Sequence, residues 1–412
     1  MSRVRPRPFL VFALIYAAFV SLGLPDGVLG AAWPQMRVHF GVALNENWPM
    51  LALGTCGAVL SSFFSGVVLR ALGVGRVLLF TTLLTAIVLL AYAASPAFTW
   101  IITLTFFLGL GNGAVDAGLN GFVASRFSSR HMNWLHAFWG VGASLGTLIV
   151  SSVLGLNGTW RAGYVVVGLL QLSLALAFAW GRDALATEPS STRSNRAAPR
   201  TSPSNSNADA GSESPTVTAT LALPAARVSL VLFFVYCGLE SGTGLWIASA
   251  LHDGRGWTLQ SAGLMATLYW SSLTVGRFLT GTVSTRTTPI RIVRAAVVGG
   301  LAGTTLFAVS SVIPPQTAWS GVVTAFGLLL TGFSLSPIYP MLTHDTPRSV
   351  GQAHALNLIG LQTGSGNLGY TILPILLGTL MRIYSTEWLG SLVAGLAVVM
   401  VLLVRVREGR IG

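Results

Sequence analysis

Residues 9–32 read FLVFALIYAAFVSLGLPDGVLGAA, an apolar run interrupted by one acid, Asp26, and preceded by Arg3, Arg5 and Arg7. A run of about 20 apolar residues crosses a hydrocarbon core of roughly 30 Å as a helix. Basic residues before an apolar run also open a secretory signal. Here the run continues to Ala32 with no small-x-small cleavage site after it, so it reads as an uncleaved first span. Beyond it the chain is 412 residues long, 52% hydrophobic and 9% charged, with a mean hydropathy of +0.70. A soluble domain carries about 25% charged residues, so a water-facing surface cannot be made from this composition. Long Gly-rich runs favour helices over the short alternating strands of a membrane barrel.

Windows of about 19 residues place twelve spans, at 8–32, 49–71, 76–95, 98–124, 131–155, 161–180, 227–250, 260–283, 291–312, 318–341, 351–380 and 387–404. All 24 basic residues are arginines, and the formal net charge is +12. With both termini inside, nineteen arginines fall in cytoplasmic segments and four (Arg37, Arg161, Arg255, Arg382) on the other side, while Arg277 lies within a span. That asymmetry is a positive-inside signal, so the charge reads as topology and not as a nucleic-acid footprint. A multi-pass inner-membrane protein with cytoplasmic N- and C-termini is expected. Cys56 and Cys237 lie in separate apolar runs and offer neither a disulfide framework nor metal-ligand spacing.

Residues 182–226 are rich in Ser, Thr, Pro and Asn. Such a composition cannot bury enough apolar surface to offset its ordering entropy. It is expected to be a flexible cytoplasmic linker between an N-terminal six-helix bundle (1–181) and a C-terminal one (227–412). The halves look like repeats. Gly23-Leu24-Pro25-Asp26-Gly27 aligns with Gly238-Leu239-Glu240-Ser241-Gly242, and Gly66 and Arg76 align with Gly281 and Arg291, all at nearly one offset. A parallel repeat of this kind builds many transporters.

With these landmarks the chain resembles the major facilitator superfamily across all twelve spans. The glycines and late arginine of the 66–76 loop match the family's cytoplasmic signature, although Arg70 stands where that signature has an aspartate. Gly23-Leu24-Pro25-Asp26, Asp116-Ala117-Gly118-Leu119-Asn120, Asn133-Trp134-Leu135-His136-Ala137-Phe138-Trp139-Gly140 and Trp270-Ser271-Ser272-Leu273-Thr274-Val275-Gly276-Arg277 resemble the fucose-permease branch of sugar and proton symporters. The resemblance implies an all-α membrane protein of twelve transmembrane helices in two pseudo-symmetric six-helix bundles. It further implies that spans 1, 4, 7 and 10 line a central cavity, that 2, 5, 8 and 11 flank it, and that 3, 6, 9 and 12 face lipid.

Three acids fall inside spans: Asp26, Asp116 and Glu240; the others are expected in loops or tails. A carboxylate at mid-span costs about 2.5–3.5 kcal/mol on insertion scales. Partial desolvation disfavours its charged form, so a proton can be gained and lost near neutral pH. These three are therefore the candidate proton-coupling groups, and by resemblance Asp26 and Asp116 match the acids of the fucose permease. Arg277 is a charge partner for a neighbouring acid, most simply Glu240, a pairing that would withdraw Glu240 from coupling.

Substrate-binding candidates follow from polar stripes. Asn112, Asp116 and Asn120 recur at four-residue spacing on one helix face, where amides both donate to and accept from hydroxyls. Tyr236, Glu240 and Thr243 make a second stripe. His136 lies between Asn133 and Trp139 at three-residue spacing, and Asn357, Gln362 and Asn367 give span 11 an amide-rich, acid-free character. Trp139, Trp246 and Trp270 lie deep enough to stack on the apolar face of a sugar ring. Trp48, Trp100, Trp160, Trp257, Trp319 and Trp388 fall at span ends, where interfacial anchoring explains them. Gly142-x-x-x-Gly146 and Gly360-x-x-x-Gly364 read as close helix contacts, and Pro337 and Pro340 as a break in span 10.

No Walker loop, metal cluster or activated nucleophile is present in the sequence, which argues against an ATPase or another enzyme. The reading is a monomeric secondary transporter in a lipid bilayer. It imports a sugar or similar small polar solute with protons by alternating access, with no cofactor beyond the coupling ion (proton, with sodium as the other choice). The competing readings are a proton-coupled exporter of amphipathic compounds, a uniporter, and a receptor built on a transporter fold.

Overall fold

The computed structural model describes residues 8–126, 129–181, 215–284 and 286–409. Their regular structure is entirely helical: α1 Pro8–Phe40, α2 Trp48–Leu72, α3 Val74–Ala94, α4 Phe98–Arg126, α5 Ser129–Gly155 and α6 Trp160–Gly181 form the first half. The second half comprises α7 Pro224–Ser249, α8 Leu259–Val283, α9 Pro289–Ser310, α10 in two pieces (Ala318–Leu335 and Ile338–Val350), α11 Gln352–Ile383 and α12 Leu389–Glu408. Among the described residues, nine segments are long and apolar enough to cross a membrane. The other three long helices, α2, α8 and α11, pack among the nine, and α8 and α11 are rich in Ser, Thr, Asn and Gln.

Helix boundaries follow local chemistry, with instructive departures. α1 does not stop at 32 but runs to Phe40 through Pro34. Trp33 and Met36 are fully buried, and the Trp33 indole donates to the Leu44 carbonyl at 2.8 Å, so tertiary packing outweighs the lost backbone bond. α2 turns directly into α3 at Gly73, whose φ of +77° suits glycine. The break expected in span 10 falls at Ser336-Pro337, and Pro340 sits in the first turn of the second piece, where its missing N–H costs nothing. The expected linker is shorter at its end than read from composition. Thr216 caps a short helix, Val217–Ala222, and Pro224 opens α7; residues 182–214 lie outside the described residues, as do the side chains of Arg70 and Asn133.

The two halves repeat one packing scheme: α1 on α5, α2 on α4 and α3 on α6, then α7 on α11, α8 on α10 and α9 on α12. Glycines set the closest approaches. A Cβ at Gly142 would collide with the Val20 carbonyl oxygen, and one at Gly146 with that of Leu24. Gly360 and Gly364 depart from expectation: nothing lies within 4 Å of a Cβ built on either. They border open space instead of a helix.

Between the halves, α5 lies along α8. Cβ atoms at Gly140, Gly263 and Gly155 would collide with Thr274, Ser151 and Gln260 respectively. The end remote from the linker is also closed. There Arg37 Nη2 meets Asp253 Oδ1 at 2.8 Å, and Arg382 Nη1 donates to Asn45 Oδ1 at 3.1 Å. α2 and α11 touch where the Thr55 and Thr371 hydroxyls lie 2.6 Å apart. Toward the linker end, α11 carries the uncovered Gly364 and Gly360.

Two further expectations are corrected. Asp345 is not in a loop: it lies in the second piece of α10, where it accepts from Arg407 Nη2 at 2.7 Å, both residues being buried. The arginine of α12 supplies the counter-charge that lets this acid enter the bundle. Trp160 is fully buried among His39, Phe40 and Tyr164, and does not anchor at an interface. Trp48, Trp100, Trp319 and Trp388 are exposed at helix ends.

The glycine contacts set an expected contrast. Gly146→Val forces backbone apart and destabilises by about 1–3 kcal/mol, read as loss of the monodisperse peak in detergent size exclusion. Gly360→Ala leaves that peak and the melting temperature unchanged.

Candidate functional site

A central cavity of about 790 Å³ lies between the halves, lined by residues of α1–α8, α10 and α11. α9 and α12 contribute nothing to it. The helices expected to flank it, α2 and α11, line it extensively, and α3 and α6, expected to face lipid, reach in with Tyr92 and Tyr164.

The structure brings Asp26, Asn112, Asp116, His136, Trp139, Tyr236, Glu240, Trp270, Arg277 and Asn367 to this one cavity. Four other candidates lie elsewhere. Asn120 sits one turn beyond Asp116 and donates Nδ2 to its Oδ1 at 2.8 Å. Trp246 is fully buried, its indole N–H on the Pro374 carbonyl at 2.8 Å. Asn357 donates to the Pro215 carbonyl at 2.7 Å and so holds the end of the linker. Gln362 is buried between α7 and α10, donating to Ser229 Oγ at 2.7 Å and Thr346 Oγ1 at 3.0 Å. These three side chains away from α4 are spent on packing, because a polar group in a dry bundle must find a protein partner.

The carboxylates fall into two electrostatic classes. Glu240 is ion-paired: Arg277 Nη2 reaches its two oxygens at 3.0 and 3.2 Å. Tyr236 donates to it from one turn back, and the Tyr269 hydroxyl donates to the Glu240 carbonyl at 2.9 Å. Asp26 and Asp116 have no ion-pair partner among the described residues. Asp26 Oδ2 accepts from the Trp139 indole at 2.9 Å, and Asp116 accepts from Asn120. Arg277 also crosses to the first half. Nη1 donates to the His136 carbonyl at 3.2 Å, and the guanidinium lies 5.3 Å from the Trp139 ring centroid. The His136 ring is set edge-on to Phe19 with centroids 5.8 Å apart.

Several lining residues escaped the sequence reading: Tyr92, Tyr164, Cys237, Tyr339 and Tyr370. Tyr339 stands between Pro337 and Pro340, so the helix break marked its position, and Tyr370 follows Asn367 by three residues on the same face. Tyr92 and Tyr164 carried no signal, since a tyrosine within an apolar run looks like core.

A model of the Major Facilitator Superfamily matches residues 10–365. The chain belongs to the Major Facilitator Superfamily. Among curated relatives of this superfamily member, "Bypass of stop codon protein 6" of Saccharomyces cerevisiae is 22% identical over 91% of this chain and 77% of its own length. The glucose/mannose transporter GlcP of Bacillus subtilis is 25% identical over 38% of this chain and 39% of its own length. A crystal structure of the nucleoside transporter NupG superposes with a TM-score of 0.75 at 14% identity, covering 97% of this chain and 99% of that one. The chain is thus a multi-pass membrane transporter of this superfamily, with the family's all-α fold.

The buried pair carries a stability prediction. Glu240→Gln and Arg277→Gln each strand one charge and destabilise by about 3–5 kcal/mol, seen as a large drop in melting temperature in detergent. The double variant, with no stranded charge, recovers most of the loss.

Proposed function

We propose that the protein moves a small polar, hydroxyl-bearing solute of the sugar class together with protons, by alternating access of the central cavity. The observation that carries this reading is the pair Asp26 and Asp116: two carboxylates on one cavity with no ion-pair partner among the described residues. An unpaired carboxylate in a partly dry site favours protonation, and solute binding then shifts its charge state. Glu240 stands outside the coupling pair, because Arg277 is already its ion-pair partner. Asn112, Asn367 and the Tyr236 hydroxyl supply donors and acceptors for hydroxyl groups, and Trp139 and Trp270 supply ring faces. GlcP's named sugars and the resemblance to the fucose-permease branch agree with this substrate class. By the arginine asymmetry the linker end faces the cytoplasm, so the cavity bordered by Gly360 and Gly364 is open inward in the inner membrane.

One observation favours a second reading. Tyr92, Trp139, Tyr164, Trp270, Tyr339 and Tyr370 outnumber the two amides at the cavity wall, which suits export of an amphipathic or aromatic compound in exchange for protons.

Proteoliposomes with an imposed pH gradient decide between them. With D-glucose and L-fucose as probes, inward protons are expected to drive accumulation above the external concentration. Asp116→Asn and Asp26→Asn each abolish accumulation, by at least tenfold, while exchange of labelled for unlabelled sugar persists. Uptake that ignores the gradient demotes the protein to a uniporter. Proton-driven extrusion of an amphipathic dye, with no sugar uptake, establishes the exporter.

A further inference from the structure

Trp139 makes contacts that a ring face for substrate does not by itself account for. Its indole N–H donates to Asp26 Oδ2 at 2.9 Å, a residue of the first half. Its ring lies beside the Arg277 guanidinium, 5.3 Å from centroid to Cζ, and its edge meets Trp270 with centroids 5.4 Å apart, both residues of the second half. Arg277 in turn holds Glu240 and donates to the His136 carbonyl one turn before Trp139. One side chain therefore touches an unpaired acid of the first half and the buried ion pair of the second. It does so on α5, whose seam with α8 is tight from Gly140 against Thr274 to Gly155 against Gln260.

We propose that Trp139 is the positioning residue that reports the charge of Asp26 to the opposite half of the protein. This rests on the reading of Asp26 as a proton site. No proton passes through the indole: it arrives from water in the cavity and resides on the Asp26 carboxyl. When Asp26 is charged, the N–H···O bond is charge-assisted and fixes the ring against Arg277. Protonation leaves a neutral acceptor and a bond roughly half as strong. The ring is then free to shift, and Arg277 with Glu240, Tyr236 and α8 loses one wall of its seat. At this tight seam between the halves, that loosening biases their relative tilt.

Asp26 shares its surroundings with other titratable groups. Asp116 faces it from α4, His136 from α5, Glu240, Tyr236 and Cys237 from α7, and Arg277 from α8. Tyr92, Tyr164, Tyr339 and Tyr370, from α3, α6, α10 and α11, are phenols, a type that ionises only near ~10 or above, and stay neutral across the range tested. Histidine as a residue type titrates near ~6.5, so every measurement is repeated in His136→Gln.

The test needs no solute. Full-length protein in lipid nanodiscs, with Cys56 and Cys237 replaced by Ser, is titrated between about pH 4 and 9 while the infrared carbonyl band of protonated carboxyls is followed. The component lost in Asp26→Asn reports Asp26. In parallel, spin labels at Leu72→Cys and Gln352→Cys, on α2 and α11 at the linker end, report the separation of the halves. In the parent protein the separation is expected to change with the same midpoint as the Asp26 band. Trp139→Phe keeps the ring and loses the donor. Removing a donor to the charged form favours the neutral one, so the midpoint moves up by about one pH unit, a tenfold change in proton affinity. The spin-label separation no longer follows it. Arg277→Lys keeps the charge for Glu240 but loses the planar stack, so its Asp26 band stays in place while the separation again fails to follow; it serves if Trp139→Phe does not fold. An unchanged midpoint and an unchanged pH-linked separation in Trp139→Phe, or a separation that tracks pH normally in Arg277→Lys, overturns the linkage and leaves the proton reading intact. Absence of any Asp26-dependent band in the parent protein brings down the proton reading and the linkage together.

Discussion

A carboxylate inside a bilayer must be neutralised by a cation, a proton or water, since insertion uncompensated costs about 2.5–3.5 kcal/mol even on the mildest scales. The protein uses different answers at different depths of the same bundle. Arg277 lies against Glu240 and Arg407 against Asp345, each pair buried with little solvent on either partner. Asp26 and Asp116 line the same cavity as Glu240 and Arg277, but each has a neutral hydrogen-bond donor and, among the described residues, no cation. The architecture can be understood as what this difference requires: fixed pairs that tie one helix to another, and acids without a counter-charge that are left to water and solute.

Packing obeys the same division. Where α1 meets α5, and where α5 meets α8, glycines let backbones approach to distances that no side chain permits. Without a hydrophobic driving force between helices in lipid, such close contact is the main source of association. α2 and α11 part below Thr55 and Thr371, and the glycines of α11 there are uncovered. One inter-half seam is thus tight and the other partly open, an asymmetry suited to a tilting motion about α5 and α8.

Much of this was legible before any coordinates. The twelve spans, the repeat and the three mid-span acids follow from hydropathy and from the rarity of charge in apolar runs. For Arg277 the sequence offered two places, against an acid such as Glu240 or reaching for the cytoplasmic face, and the structure shows the pair. Less legible was which polar residues face the cavity. Asn112 and Asn367 do, whereas Asn357 and Gln362, on the same helix as Asn367, are bound to Pro215, Ser229 and Thr346. A helix turns about 100° per residue, so a list of amides on one helix scatters over several faces, and only the neighbours decide which face is wet.

The sequence by itself determined that the chain is a bundle of membrane helices in two related halves, because apolar run length and charge placement are properties of each segment alone. It also picked out Asp26, Asp116, Glu240 and Arg277 as ionisable groups within spans, but not Asp345, which enters the bundle on the counter-charge of Arg407. The tertiary structure decided which of those groups are paired and which are not, and that Trp139 stands between them. It decided too that one pair of glycines is packed and another uncovered. Pairing and packing depend on contacts between residues more than a hundred positions apart, such as Asp26 with Trp139 and His136 with Arg277, and no local pattern encodes them.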